Sequence, residues 1–193
     1  MSLSVRVEGP DGNRSGEEPM TAREFIKAIA NGEADIVQIL LDLLVETRSG
    51  YCVVGGLAVN AYVEPVVSLD MDIVVVAEQV ERICEKAVEK GLQVERFPHS
   101  INLHSNRSEL RVQLQTDARY QAFISRASEK RVLGYDMQVA HVEDVLQGKL
   151  WAYQDETRRK SKRQKDLADI ARIIEAYPTL VSLLPDPVRR LVD

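Results

Sequence analysis

The sequence predicts an α/β domain: a mixed sheet of about four to six strands flanked by helices, with a helical C-terminal third. Three observations carry that reading. Short β-rich runs at 51–54 and 69–76 alternate with apolar segments at helical spacing. Three further extended runs, 93–97, 101–104 and 110–114, follow closely, separated by Pro98 and by Ser105-Asn106-Arg107-Ser108. Beyond a strand at 137–140, the apolar spacing is helical to the end, broken only by Pro178, Pro185 and Pro187.

Composition bounds what such a domain can be. A chain of 193 residues with 45% hydrophobic and 28% charged side chains is one globular domain, or a core with a small appendage. A net charge of −5 argues against a uniformly nucleic-acid-binding surface. No apolar run approaches the roughly 20 residues that span a bilayer, and no basic-then-apolar leader opens the chain, so a cytoplasmic protein without a membrane partner is expected. Cys52 and Cys84 have no metal-like spacing and read as buried reduced thiols.

Taken in order, residues 1–20 hold three glycines and two prolines and are expected to be a flexible tail. Thr21 and Glu24 form a capping-box pattern ahead of Phe25, Ile26 and Ile29, with Asn31-Gly32 as the stop. Asp35 opens a longer helix to about Ser49, its polar Gln38, Asp42 and Glu46 on one stripe, closed by Gly50. Strand 51–54, helix 57–63 and strand 69–76 follow. Residues 79–90 are an amphipathic helix with Val80, Ile83, Cys84, Ala87 and Val88 inward, ended by Gly91. The segment 118–127 is weakly helical, with Tyr120, Phe123 and Ile124 on one side. Helices are expected at 142–155 and 165–177, with a last short one between Pro185 and Pro187. The expected core is 21–140, with the helical part 141–193 packed on it.

The chemistry concentrates in 51–76. Asp70 and Asp72 are two apart on a strand and project from one face. Neighbouring carboxylates raise each other's pKa, and a hard divalent cation between them relieves the repulsion. Gly55-Gly56 ends the preceding strand, where bare backbone can approach phosphate oxygens and the next helix offers unpaired N–H groups. Read singly, the glycines make a tight turn and the aspartates a solvated strand end. Against the second, Val74 and Val76 share the aspartates' face and point to a covered sheet.

Strand, Gly55-Gly56, 13 intervening residues and Asp70-Met71-Asp72 on a strand together resemble the signature of the nucleotidyltransferase superfamily. The resemblance implies that Asp70 and Asp72 hold magnesium or manganese, and that Gly55, Gly56 and Ser68 seat the phosphates of a nucleoside triphosphate. It also implies transfer of the nucleoside monophosphate to a hydroxyl. The run from His141 through Lys149, followed by Lys165-Asp166-Leu-Ala-Asp169, resembles the later motifs of abortive-infection type IV toxin nucleotidyltransferases. By that resemblance Lys149 binds the triphosphate, Asp166 is a distal carboxylate acting as base or orienting Lys149, and Asp169 supports them. The residues themselves say that Asp166 and Asp169 share a helix face with Ile170 and Ile173, so both turn inward and want a cation. A purely structural Lys149–aspartate lock satisfies the same pattern.

Two departures stand out. Where many such enzymes carry a third acid, Arg111-Val112-Gln113-Leu114 places Gln113, an amide without charge, and Asp117 on the turn beyond is a substitute. Val66 stands where an arginine often precedes the first aspartate, while Ser68 keeps a hydroxyl. The basic stretch Arg158 to Lys165, with six cations in eight residues, reads as a loop between helices, either solvated or gripping a polyphosphate, an RNA or a protein acceptor. Trp151 and Tyr153 are expected in the core. His99, His104 and His141 have no partners at spacings that support a hydrolase or a zinc site.

Two functions therefore compete. One is a magnesium-dependent nucleotidyltransferase acting on RNA, a protein or a small molecule. The other is a catalytically silent module of the same fold that binds a nucleotide or partner, a notion that extends to a toxin–antitoxin locus.

Overall fold

The computed structural model describes residues 35–66 and 68–192. The expected tail and the capping-box helix at Thr21 lie outside the described residues. The elements are α1 (Ile36–Thr47), β1 (Tyr51–Val54), α2 (Gly55–Asn60), β2 (Asp70–Val75), α3 (Val80–Glu89), β3 (Gln93–Phe97), β4 (Ser100–His104) and β5 (Arg111–Gln115). A 3-10 segment (Ala118–Arg126) leads to β6 (Ser128–Val132), β7 (Tyr135–Val139), α4 (Val142–Gln154), α5 (Lys160–Ala176) and α6 (Asp186–Val192).

The seven strands form one mixed sheet in the order β3-β4-β5-β2-β1-β7-β6. Near the centre, β1 runs antiparallel to β2, and β2 runs parallel to β5. The pleat divides the chemistry. Met71, Ile73 and Val75 of β2, Val112 and Leu114 of β5, and Ile101 and Leu103 of β4 are buried in the core shared with α1 and α3. The alternate positions Asp70, Asp72, Arg111, Gln113, Gln115, Ser100 and Asn102 line a cleft instead. Burial of the apolar set, at about 25 cal/mol per Å² removed from water, fixes the register, because a slip of one residue would exchange the two sets.

Local chemistry explains where elements begin and end. Asp35 caps α1, its carboxylate accepting from Gln38 N at 3.0 Å. The helix closes at Arg48, which takes the left-handed conformation at φ 53. Gly50, expected as the stop, has another role: a Cβ there would meet Val76 Cγ2 at 3.3 Å, so its bareness admits β2 and the 3-10 segment. Helix α2 begins at Gly55 and ends at Asn60, earlier than the expected 57–63. Asn60 accounts for the early end, since its side chain bonds both backbone groups of Val66, at 2.6 and 3.0 Å, and so fixes the loop into β2.

Two expectations are corrected. The sheet has seven strands because Ser128–Val132, unanticipated from sequence, pairs antiparallel with β7 through a turn at Leu133 and Gly134. Both turn residues have positive φ (54 and 83), the geometry that suits a two-residue hairpin. The basic stretch is mostly not a loop, since α5 starts at Lys160 rather than 165. Lys, Arg and Gln are good helix formers, and an apolar-period search does not see a solvated first turn. Helix α4 packs on α2 and α5, which brings the C-terminal helices over the diglycine.

Candidate active site

The strand β1 delivers Gly55 at φ +67 directly beneath Asp72. A Cβ on Gly55 would lie 2.1 Å from Asp72 Oδ2 and 2.9 Å from its Cβ, so only glycine fits there. Gly56 faces Ser68, whose Oγ would be 3.4 Å from an added Cβ, and Lys165, whose Nζ would be 4.0 Å away. The diglycine, the hydroxyl and both aspartates therefore converge. Across the sheet, Asp70 stands in register with Arg111, and Asp72 with Gln113, which is itself opposite Asn102 on β4.

These groups line a cleft of about 720 Å³ whose other wall is α4, the turn after it and the start of α5, with Lys149, Trp151, Arg158, Lys162 and Asp166 along it. Burial pushes the carboxyl of Asp72 above the ordinary range. Lys149 pulls it back, Asp70 adds to the rise, and the Gln115 amide and Arg158 lower it. Asp70 is half-buried and paired twice: Arg111 Nη2 lies 3.1 Å from Oδ1, and Lys162 Nζ lies 3.5 Å from Oδ2.

Behind the cleft sits a buried ionic cluster. Lys149 Nζ lies 3.1 Å from Asp166 Oδ1 and 2.7 Å from Asp169 Oδ2. Asp166 also accepts from Arg158 Nε at 2.7 Å, and Asp169 from Arg172 Nη1 at 2.8 Å. Arg172 further donates to Asn60 Oδ1 at 3.2 Å and to the carbonyl of Glu64. One chain of contacts thus runs from the cleft through α5 to the loop that carries Ser68 into β2. All four aspartates, both glycines, Ser68, Gln113 and Lys149 are therefore grouped around one end of the sheet, with Asp169 a layer deeper.

Several groups escaped the sequence reading. Arg111 carries no local signal of its place, because Asp70 is its partner only through strand register. Arg172 and Asn60 carried no motif. Of the basic stretch, Arg158 and Lys162 line the cleft and Lys165 approaches Gly56, whereas Arg163 donates to Tyr153 O at 2.7 Å. Lys162 and Lys165, three apart on one face of α5, give the available signal, while Arg158 lies just before the helix. Asp117, the substitute acid, is tied by Arg119 at 2.6 Å, which holds its carboxyl below the usual range. Trp151 lines the cleft, stacked on Phe123 at 5.7 Å with Arg119 over its ring at 4.8 Å. Among the described residues, no group of three or more histidines, cysteines or acids is placed to hold a metal. The donor set is two carboxylates with an amide alongside. That set fits magnesium arriving with phosphate, since magnesium keeps few protein ligands and takes the rest from phosphate and water.

A mixed sheet presenting paired aspartates to a diglycine turn, closed over by a lysine-bearing helix, is an α/β architecture shared with several solved structures. An aminoglycoside-resistance protein, ANT(2″)-Ia, in complex with adenylyl-2″-tobramycin is 14% identical, with a TM-score of 0.57 over 81% of this chain and 94% of that one. The solution structure of ANT(2″)-Ia gives 0.52 at 13% identity, over 81% and 86%. The lincosamide antibiotic adenylyltransferase LnuA, bound to lincomycin, gives 0.50 at 15% identity, over 73% and 98%. No family model matches the chain, and neither does any curated protein. The chain has the nucleotidyltransferase fold. Among the described residues, no helix is long and apolar enough to cross a membrane.

Proposed function

We propose that this protein is a divalent-cation-dependent nucleotidyltransferase that transfers a nucleoside monophosphate from a nucleoside triphosphate to the hydroxyl of a small molecule. The observation that supports it most is the contact of Asp72 with the bare backbone of Gly55, beside Asp70 and facing Lys149, Arg158 and Lys162 across the cleft. Acids and cations at that range suit a cation-bridged polyphosphate and little else.

In this reading Asp70 and Asp72 hold magnesium or manganese, which would supply charge neutralisation on the phosphates and polarise the α-phosphorus. Gly55, Gly56 and Ser68 bound the phosphate path, and Lys149 stabilises charge developing toward the leaving pyrophosphate. The acceptor oxygen forms a bond to the α-phosphorus, the bond to the pyrophosphate oxygen breaks, and the acceptor proton leaves with solvent or a cleft carboxylate. Positioning and electrostatics carry most of such a transfer. A small acceptor is favoured because three cations of the basic stretch turn toward the cleft, leaving fewer for an RNA backbone. Two of the compared proteins carry a small antibiotic or its adenylylated product in their solved structures. The wall opposite, built of Ser100, Asn102, Gln113 and Gln115, offers neutral hydrogen-bonding groups to a polyol.

A second reading, the silent nucleotide-binding module, is favoured by Gln113 standing in register with Asp72 and by Arg111 engaging Asp70. One experiment separates the two. The protein is incubated with each α-labelled triphosphate, Mg²⁺ or Mn²⁺ and a panel of aminoglycosides, lincosamides and polyols, and binding is followed by the fluorescence of its single tryptophan. Product formation that disappears in Asp70→Asn and Asp72→Asn supports the enzyme. Nucleotide-dependent fluorescence without product in any mixture supports the silent module.

A further inference from the structure

The two oxygens of Asp70 are taken by side-chain cations from different parts of the fold. Arg111, its neighbour across the sheet, holds Oδ1, and Lys162, from the first turn of α5, reaches Oδ2 at 3.5 Å. Arg111 is fixed by strand register. Lys162 is not: its side chain is 39% exposed and hangs into the cleft from a helix whose first turn is solvated. A divalent cation bound by Asp70 and Asp72 would need the oxygen that Lys162 now holds. Two cations on one carboxylate oxygen repel strongly inside a partly desolvated cleft.

Lys162 also has somewhere to go. Lys165 lies three residues along the same helix face and approaches Gly56, and Arg158 lies four residues before it, so a polyphosphate over the diglycine would meet all three cations. We propose that Lys162 is an exchangeable counter-ion: it occupies Asp70 until a nucleoside triphosphate arrives, then passes to the phosphates and yields Asp70 to the metal. Metal and nucleotide therefore bind synergistically, and the metal alone binds weakly. This rests on the proposed function and adds a residue and an order of events to it.

The test uses the full chain and two titrations read separately. Mn²⁺ without nucleotide is followed by electron paramagnetic resonance of free ion, and ATP without metal, in chelator, by Trp151 fluorescence. Removing a unit charge about 4 Å from a divalent cation is worth about 2 kcal/mol even at bulk-water screening, roughly tenfold or more in affinity. Lys162→Met is therefore expected to tighten Mn²⁺ about tenfold and to weaken metal-free ATP about tenfold. Lys162→Arg, which keeps the charge, and Lys160→Met, which removes a cation not lining the cleft, should both resemble wild type. A merely structural role would weaken both affinities together, and a general field effect would appear in Lys160→Met as well. If Lys162→Met leaves both within twofold of a wild type that binds both ligands, the exchange is refuted while the functional reading stands. If the wild type binds neither ATP nor GTP, CTP or UTP in the same titration, the functional reading falls, and the exchange falls with it.

Discussion

Substituting Gly55 with alanine isolates the contact on which the site is built. Two costs act there. The backbone sits at φ +67, a conformation that costs an L-residue about 1–2 kcal/mol. The new methyl would also lie 2.1 Å from Asp72 Oδ2 and 2.9 Å from Asp72 Cβ, a strand backbone-anchored atom that cannot swing aside. Overpacking of that kind costs typically about 1–3 kcal/mol. Together they predict a loss of about 2–5 kcal/mol, a large share of the 5–15 kcal/mol by which domains are stable. Urea denaturation followed by Trp151 fluorescence measures it. The partition is checked by repeating the substitution in an Asp72→Gly background, where the methyl clash is gone and only the backbone cost of about 1–2 kcal/mol should remain. A Gly55→Ala protein within 0.5 kcal/mol of wild type would refute the close approach of diglycine and acid. Equal losses in both backgrounds would refute the clash and leave backbone strain alone.

Two further outcomes follow from buried chemistry. Lys149→Met strands Asp166 and Asp169, each left with a single arginine, and should cost about 3–5 kcal/mol in urea denaturation; combining it with Asp166→Asn and Asp169→Asn should recover most of the loss. Cys52 is pushed up to about 12 by burial, with Asp144 adding to the rise, and Cys84 is raised chiefly by burial, so neither thiol should react with iodoacetamide at pH 8 until the chain unfolds. Because the folded pKa of Cys52 lies above that of the unfolded thiol, its contribution is whole below about pH 8.5 and is lost as the pH rises toward 12. A fast-reacting native thiol counted by mass spectrometry would contradict that burial.

How much of this was legible beforehand depends on which signal each residue sends. Asp70, Asp72 and the diglycine were readable because chemistry, order and spacing coincide within 26 residues. Asp166 and Asp169 were readable as inward because Ile170 and Ile173 share their face, and both are buried. The strand Ser128–Val132 was invisible: an edge strand of Ser, Glu, Lys and Arg carries the charges that protect exposed edges, and those charges erase the alternation that marks a strand. The 3-10 segment kept its apolar side, with Phe123 buried, but its tighter winding could not be told from a weak α-helix. The ion pairs of Asp70 were out of reach for a different reason. Arg111 is its neighbour only through strand register, and Lys162 only through the packing of α4 and α5, and neither is encoded in local pattern.

Those two cations also bear on the amide at Gln113. Around the diglycine, Asp70 and Asp72 face Arg111, Lys149, Arg158 and Lys162, of which Lys149 and Arg158 are also held by Asp166, so acids and cations are closely matched. A third acid at 113 would stand directly beside Asp72 in register, and its charge would be opposed mainly by Arg111 two residues away on the same strand face. With an amide there, Arg111 and Lys162 have Asp70 as their acid partner and gain no second one at 113, so both are available to a polyphosphate once a metal takes that carboxylate. Those two cations make a metal alone a poor ligand, because its positive charge meets theirs at Asp70. The charge balance at the head of β2 and β5 therefore selects for an anion that brings its own cation, which is the form in which a nucleoside triphosphate reaches an enzyme.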